Sequence, residues 1–193
     1  MKSIPLSNTP ESAEHWLQVE ETLTAEKTRR LTEHAKFSGF NEIGGLGAGE
    51  TGAIFSPGQG TLKLKLNTKL QTANWTLTYS NLSAPITQAH IHFGKKKVAG
   101  GIMVFFCSNL TGPPPGTQLC PNSGTISGMF TGGSVIGPVA QHVTIGDFNA
   151  LAQAILSKTA YANIHTTNFP AGEIRGQIRR DDDEDHHDDH HDR

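Results

Sequence analysis

Two histidines one residue apart stand in Ala89-His90-Ile91-His92-Phe93-Gly94. Side chains of an extended chain alternate between faces, so His90 and His92 share one side while Ile91 and Phe93 take the other. Metal sites on β scaffolds use this spacing, because it brings two imidazole nitrogens to one ion without bending the backbone. A second segment, Tyr161-Ala162-Asn163-Ile164-His165-Thr166, alternates in the same way, with Tyr161, Asn163 and His165 on one face. If both segments are strands of one sheet, His165 completes a three-histidine set suited to copper or zinc. The competing reading makes each histidine a hydrogen-bonded structural residue at a sheet end.

A third alternating segment, Glu173-Ile174-Arg175-Gly176-Gln177-Ile178, sets Glu173, Arg175 and Gln177 on one face and Ile174 and Ile178 on the other. This row is expected to form a polar network with Glu42, Asn163 or His165, with Arg175 as a bidentate carboxylate partner. A solvated sheet face is the alternative. The last thirteen residues, DDDEDHHDDHHDR, add His186, His187, His190 and His191 as loose chelators. Such a charged run is not expected to fold, and it serves equally to keep the chain in solution or to meet a basic patch such as Lys95 to Lys97.

The elements that would position these residues are strands. Leu62, Leu64 and Leu66 alternate with Lys63 and Lys65, and Trp75, Leu77 and Tyr79 repeat the pattern, so an antiparallel pair with one wet face is expected. Further strands are expected at 89–93, 102–106, 124–130, 160–165 and 173–178. One helix is expected from the N-cap Asp147 through Phe148, Leu151, Ile155 and Leu156. Another is expected after Thr9-Pro10-Glu11, on a sparse stripe of Trp16, Val19 and Leu23, unless that segment is a flexible lead-in. Gly44 to Gly52 reads as a loop. The domain reading is a lead-in over 1–35, a β-sandwich over 36–180 and an acidic tail over 181–193.

Composition supports that class. With 193 residues, 21 Gly and 10 Pro, the chain suits one turn-rich β domain. The formal net charge of −2 hides a tail of −7 and a body of +5. The basic residues lack the interleaved aromatics of a nucleic-acid platform, so nucleic acid is not an expected partner. No run approaches the ~20 apolar residues of a membrane span. Cys107 and Cys120 enclose a loop with three consecutive prolines, and a bridge there would contribute about 3 kcal/mol. A paired count fits an oxidising compartment, whereas two reduced thiols would fit the cytoplasm. No leader is visible at the start, so a secreted or periplasmic chain is expected to have lost it. Three glycan acceptor patterns, at Asn74, Asn81 and Asn109, do not decide the origin.

Taken together, Phe37-Ser38-Gly39-Phe40-Asn41-Glu42-Ile43, Ala89-His90-Ile91-His92-Phe93-Gly94 and the stretch from Tyr161 to Thr166 running into Phe169-Pro170-Ala171-Gly172-Glu173-Ile174-Arg175-Gly176-Gln177-Ile178 resemble the chordin-type (CHRD) domain. The resemblance spans Lys36 to Arg180. It implies an all-β, immunoglobulin-like or superoxide-dismutase-like antiparallel β-sandwich, found in exported proteins and without an established catalytic activity. Carried over residue by residue, it marks Glu42, His90, His92, Asn163, His165, Glu173, Arg175 and Gly176. Ile43-Gly44-Gly45 departs from the family's usual Glu-Val-Pro-Pro at that point. The Cys107 to Cys120 loop resembles that of bacterial members, which favours the bridge.

Three functions follow as expectations. The first is an extracytoplasmic binding module with a protein or surface-polymer partner, since the chain lacks a Gly-x-Ser-x-Gly elbow, a plausible Cys-His pair and a phosphate-cradling loop. The second is a copper- or zinc-binding protein using His90, His92 and His165. The third, a metal-dependent redox enzyme, would also need an open coordination position and a substrate cleft. The sequence sets no oligomeric state.

Overall fold

A computed structural model describes residues 31–43 and 52–180. The expected N-terminal helix, the glycine-rich loop over 44–51 and the tail with His186, His187, His190 and His191 lie outside the described residues. Among the described residues, nine strands and one α-helix run in the order β1 (Leu31–Ser38), β2 (Gln59–Asn67), β3 (Thr72–Ser80), β4 (Ile86–Phe93), β5 (Gly101–Ser108), β6 (Gly124–Phe130), α1 (Phe148–Leu156), β7 (Ala160–Thr166), β8 (Ile174–Gln177) and β9 (Arg179–Arg180). The first strand begins at Leu31, so the β region starts before the boundary at residue 36 read from the sequence.

The strands form one antiparallel sheet in the order β5-β4-β7-β8-β1-β2-β3-β6, with β9 beside β1. The β2–β3 pair is regular from Gln59↔Ser80 to Asn67↔Thr72. Its inward residues Leu62, Leu64, Leu66, Trp75, Leu77 and Tyr79 are buried, and Lys63, Lys65, Asn74, Thr76 and Thr78 face water. This is the period-two rule expressed over eighteen residues. Strand β1 pairs with β2 along its whole length but with β8 only at Ser38↔Arg175, so the sheet folds on itself at that seam. Its two ends meet through aromatic rings. Phe106 of β5 lies 5.4 Å from Phe130 of β6, and Trp75 stands 4.9 Å from Phe106 and 5.4 Å from Phe130. The result is a nearly closed all-β fold of the sandwich or barrel kind, as expected.

Helix α1 starts where the sequence placed it. The Asp147 carboxylate accepts from the Ala150 amide at 2.9 Å, and Phe148, Leu151, Ala152, Ala154 and Ile155 form its buried face against β7 and β9. The Cys107–Cys120 disulfide is formed, with Cα atoms 5.1 Å apart. It tethers the proline-rich loop to β5, and the Asn109 amide reinforces the tether by donating to the carbonyls of Ile86 and Cys120. That amide nitrogen is therefore committed to the loop, which answers the glycan pattern at Asn109 with a structural role.

Local irregularity in β4 sets up the site. Against β5, register shifts after Ala89 and after Ile91 leave Phe106 and Met103 without a partner across the ladder. Against β7, a shift between Ile86 and Gln88 turns Ile86 into the core, where it is buried, and leaves Gln88, His90 and His92 on the outer face. A single extra residue reverses which side a strand presents, and bulges of this kind re-aim side chains beside functional sites.

Candidate metal centre

The outer face of β4, β7 and β8 carries the three histidines. Register pairs His90 with Asn163 and His92 with Tyr161, while Gln88 lies opposite His165 and Arg175 opposite Asn163. His90, His92 and His165 are all buried, and one ring nitrogen from each lies within 4.8 Å of the others. Ring centroids are 4.9 Å apart for His90 and His165, 5.3 Å for His90 and His92, and 6.2 Å for His92 and His165. Nitrogens bound at 2.0–2.1 Å in a tetrahedral site stand roughly 3.4 Å apart, so ion capture requires a closure of at most about 1.4 Å. No hydrogen bond fixes the His90 ring in its orientation, since both of its ring nitrogens are without a hydrogen-bond partner.

The other two rings are oriented from behind. His92 Nδ1 lies 2.9 Å from the Gly100 carbonyl and His165 Nδ1 lies 2.8 Å from the Pro170 carbonyl. A carbonyl only accepts, so each Nδ1 carries the proton and each Nε2 is left as a bare lone pair. This arrangement orients histidine ligands in metal sites. The Nε2 of His165 faces the amide oxygen of Asn163 at 3.1 Å, and His92 Nε2 has no partner. Two acceptors that close repel unless the amide turns or a cation lies between them.

Electrostatics keep the rings in the neutral, ligand form. Burial pushes His90 down to about 2, with His165 and His92 adding to the effect. Burial likewise brings His92 down to about 4 against the opposing pull of the Gly100 carbonyl, and lowers His165. A planar stack flanks the cluster. The Tyr161 ring lies parallel to His92 at 4.8 Å, and the Arg175 guanidinium carbon sits 3.3 Å from the centre of the other rings' neighbour, Tyr161 itself. Phe105 of β5 closes the far side of His90 at 4.3 Å.

The expected polar network is present only in part. Among the described residues Arg175 has no bidentate carboxylate partner; its Nη2 donates to the Lys95 and Val98 carbonyls, while the Glu42 charge acts on it favourably. Glu42 is buried beside Asn163, since a Cβ on Gly172 would collide with both, and Gly172 has a φ of +132°. Gly176 is needed for a similar reason, because a Cβ there would strike the Lys36 backbone of β1.

Glu173 departs from the expected row. Its carboxylate accepts from Ser56 Oγ at 2.5 Å, Ser83 N at 2.8 Å, Ser83 Oγ at 2.9 Å and Thr166 Oγ1 at 2.7 Å. The strand begins only at Ile174, after the Gly172 turn, so the alternation does not reach back to Glu173. Instead of joining Arg175, Glu173 ties the segment before β2 and the β3–β4 loop to β7. Sequence reasoning placed Tyr161 on the right face without a role, and missed the Gly100 and Pro170 carbonyls altogether, because a backbone oxygen has no signature in residue type.

A family profile described as the CHRD domain matches residues 35–178. The chain belongs to the CHRD domain family. No curated protein and no solved structure matches significantly. In this CHRD domain, among the described residues, no helix is long and apolar enough to cross a membrane.

Proposed function

We propose that this CHRD domain binds one zinc or copper ion through His90, His92 and His165, with the Asn163 amide oxygen as a fourth donor. The observation that carries the reading is His90, wholly buried with neither ring nitrogen hydrogen-bonded. A buried polar group without a partner costs about 1–3 kcal/mol, and folded proteins rarely leave one in place without a use. An ion on His90 would remove that cost and would also reconcile the facing acceptors of His165 and Asn163. Three imidazoles and one oxygen form a donor set of intermediate softness, suited to zinc and copper rather than calcium or magnesium. The bridge between Cys107 and Cys120 supports a place outside the cytoplasm.

Elemental analysis after metal loading and dialysis tests the reading. The tail histidines 186, 187, 190 and 191 are changed to alanine so that only the domain is read. About one equivalent of zinc or copper is expected, and less than about a tenth of an equivalent rejects the site. His90→Ala in the same background should abolish the retained metal.

A further inference from the structure

Charge is missing from one part of the molecule. From Val98 to Gly146, the stretch that holds β5, β6 and the proline-rich loop, the chain has no Asp, Glu, Lys or Arg. Elsewhere among the described residues, Glu33, Glu42 and Glu173 are buried and Asp147 caps α1, so the exposed charge sits on lysines such as Lys63, Lys65, Lys96 and Lys97. Two copies that meet through those lysines repel, and two copies that meet through the neutral stretch do not. Apolar side chains also stand out there, with Leu119 74 % and Met129 54 % exposed.

The neutral stretch includes an open strand edge. β5 and β6 are the two ends of the sheet, and loop backbone covers the first: Ser108 N donates to the Gln118 carbonyl and Ile136 N to the Met103 carbonyl. β6 pairs with β3 on one side only. On its other side the Ser127 carbonyl accepts from Gln118 Nε2 at 3.3 Å, so Ser127 turns its backbone groups away from β3. Alternation turns those of Thr125 and Met129 the same way. All three residues are exposed, and their amides have no backbone partner among the described residues. The sequence GTISGMF carries neither the proline nor the charge that guards an edge, and its register with β3 shows no bulge.

We propose that β6 pairs antiparallel with β6 of a second copy, about a two-fold axis at Ser127. In that register Ser127 faces the partner's Ser127 and Thr125 faces the partner's Met129, and each pair exchanges two backbone hydrogen bonds. On the inner side the half-buried Ile126 falls opposite the partner's Gly128. That position has no side chain and is backed by the Trp75 ring, which a Cβ would meet at 2.6 Å. Each copy therefore supplies one apolar side chain and one vacant position to the other. A foreign strand can use the same hydrogen bonds, but a second copy always brings Ile126 opposite Gly128.

Sedimentation equilibrium of the full chain from about 1 µM to about 1 mM tests the proposal, together with hydrogen exchange at the Thr125, Ser127 and Met129 amides. A monomer–dimer equilibrium with a Kd of about 10–100 µM is expected, unchanged between about 0.1 M and about 0.5 M salt, with the three amides slowing as the dimer forms. Ser127→Lys sets like charges face to face and should weaken the dimer at least about tenfold, and Ile126→Ala about fivefold. Thr61→Lys adds the same charge to the outer face of β2 and should leave the dimer intact. Both lysine variants replace exposed residues and should melt like the parent at about 1 µM. A chain still monomeric at about 1 mM, or a dimer that Ser127→Lys leaves intact, overturns the proposal. A dimer lost at about 0.5 M salt also overturns it, in favour of the acidic tail of one copy meeting the lysines of another.

Discussion

The β2–β3 region and the β4–β7–β8 region are built from the same alternating pattern, yet they use their outer faces differently. In β2 and β3 the outward positions hold Lys63, Lys65, Thr76 and Thr78, all in water. In β4, β7 and β8 they hold His90, His92, Asn163, His165 and Arg175, all buried. Burying such groups opposes folding unless each is partnered, and Leu or Val would fill the same positions without that cost. Polar rings are nonetheless retained under the Gly94–Gly100 loop and the turn at Pro170, a cost to folding that the outer face of β2 and β3 does not carry.

Breaking the support of the second region should have the largest effect. Glu173→Ala leaves the donors of Ser56, Ser83 and Thr166 facing an empty position, and a loss of about 3–5 kcal/mol is expected from the urea midpoint. In the first region the contrast is between faces. Leu64→Ala should cost about 3 kcal/mol, whereas Lys63→Ala one residue away should stay within about 0.5 kcal/mol.

Acid should separate the regions next. Unfolded histidines titrate near 6.5, but folded His90 and His92 are held down at about 2 and about 4. Between those values and 6.5 the unfolded chain binds protons that the folded chain refuses. The stability of the metal-free protein is thus fully present above pH 6.5 and declines as pH falls towards 4, by roughly 1 kcal/mol per pH unit for each ring. Melts at pH 7.5 and pH 5 measure the loss, and replacing His90 and His92 together by Leu should reduce it to the part carried by His165. The smallest effect is the most diagnostic. His90→Leu alone should leave the metal-free protein as stable as the parent or about 1 kcal/mol more so, because it removes two unpartnered nitrogens.

Much of this could be read from the sequence where one rule acted alone. The period of two gave β2 and β3, the Asp147 cap gave α1, and the spacing of His90, His92 and His165 gave the cluster. Failures came where several rules met. Glu173 sits one residue outside its strand, so alternation assigned it to the wrong row. The register shifts of β4 depend on pairing with both β5 and β7, which no local pattern encodes. The carbonyls that orient His92 and His165, at Gly100 and Pro170, belong to loops whose path is set by the Arg175 bonds and the Gly172 turn.

The zinc-induced shift in melting temperature of the parent and of His90→Leu decides whether the buried face of β4 and β7 holds the proposed ion. At zinc near 100 times its Kd the parent should gain about 2.7 kcal/mol, a rise of roughly 5–10 °C, while the variant gains almost nothing. Equal shifts in both proteins, or none in either, would rule out an ion held by His90.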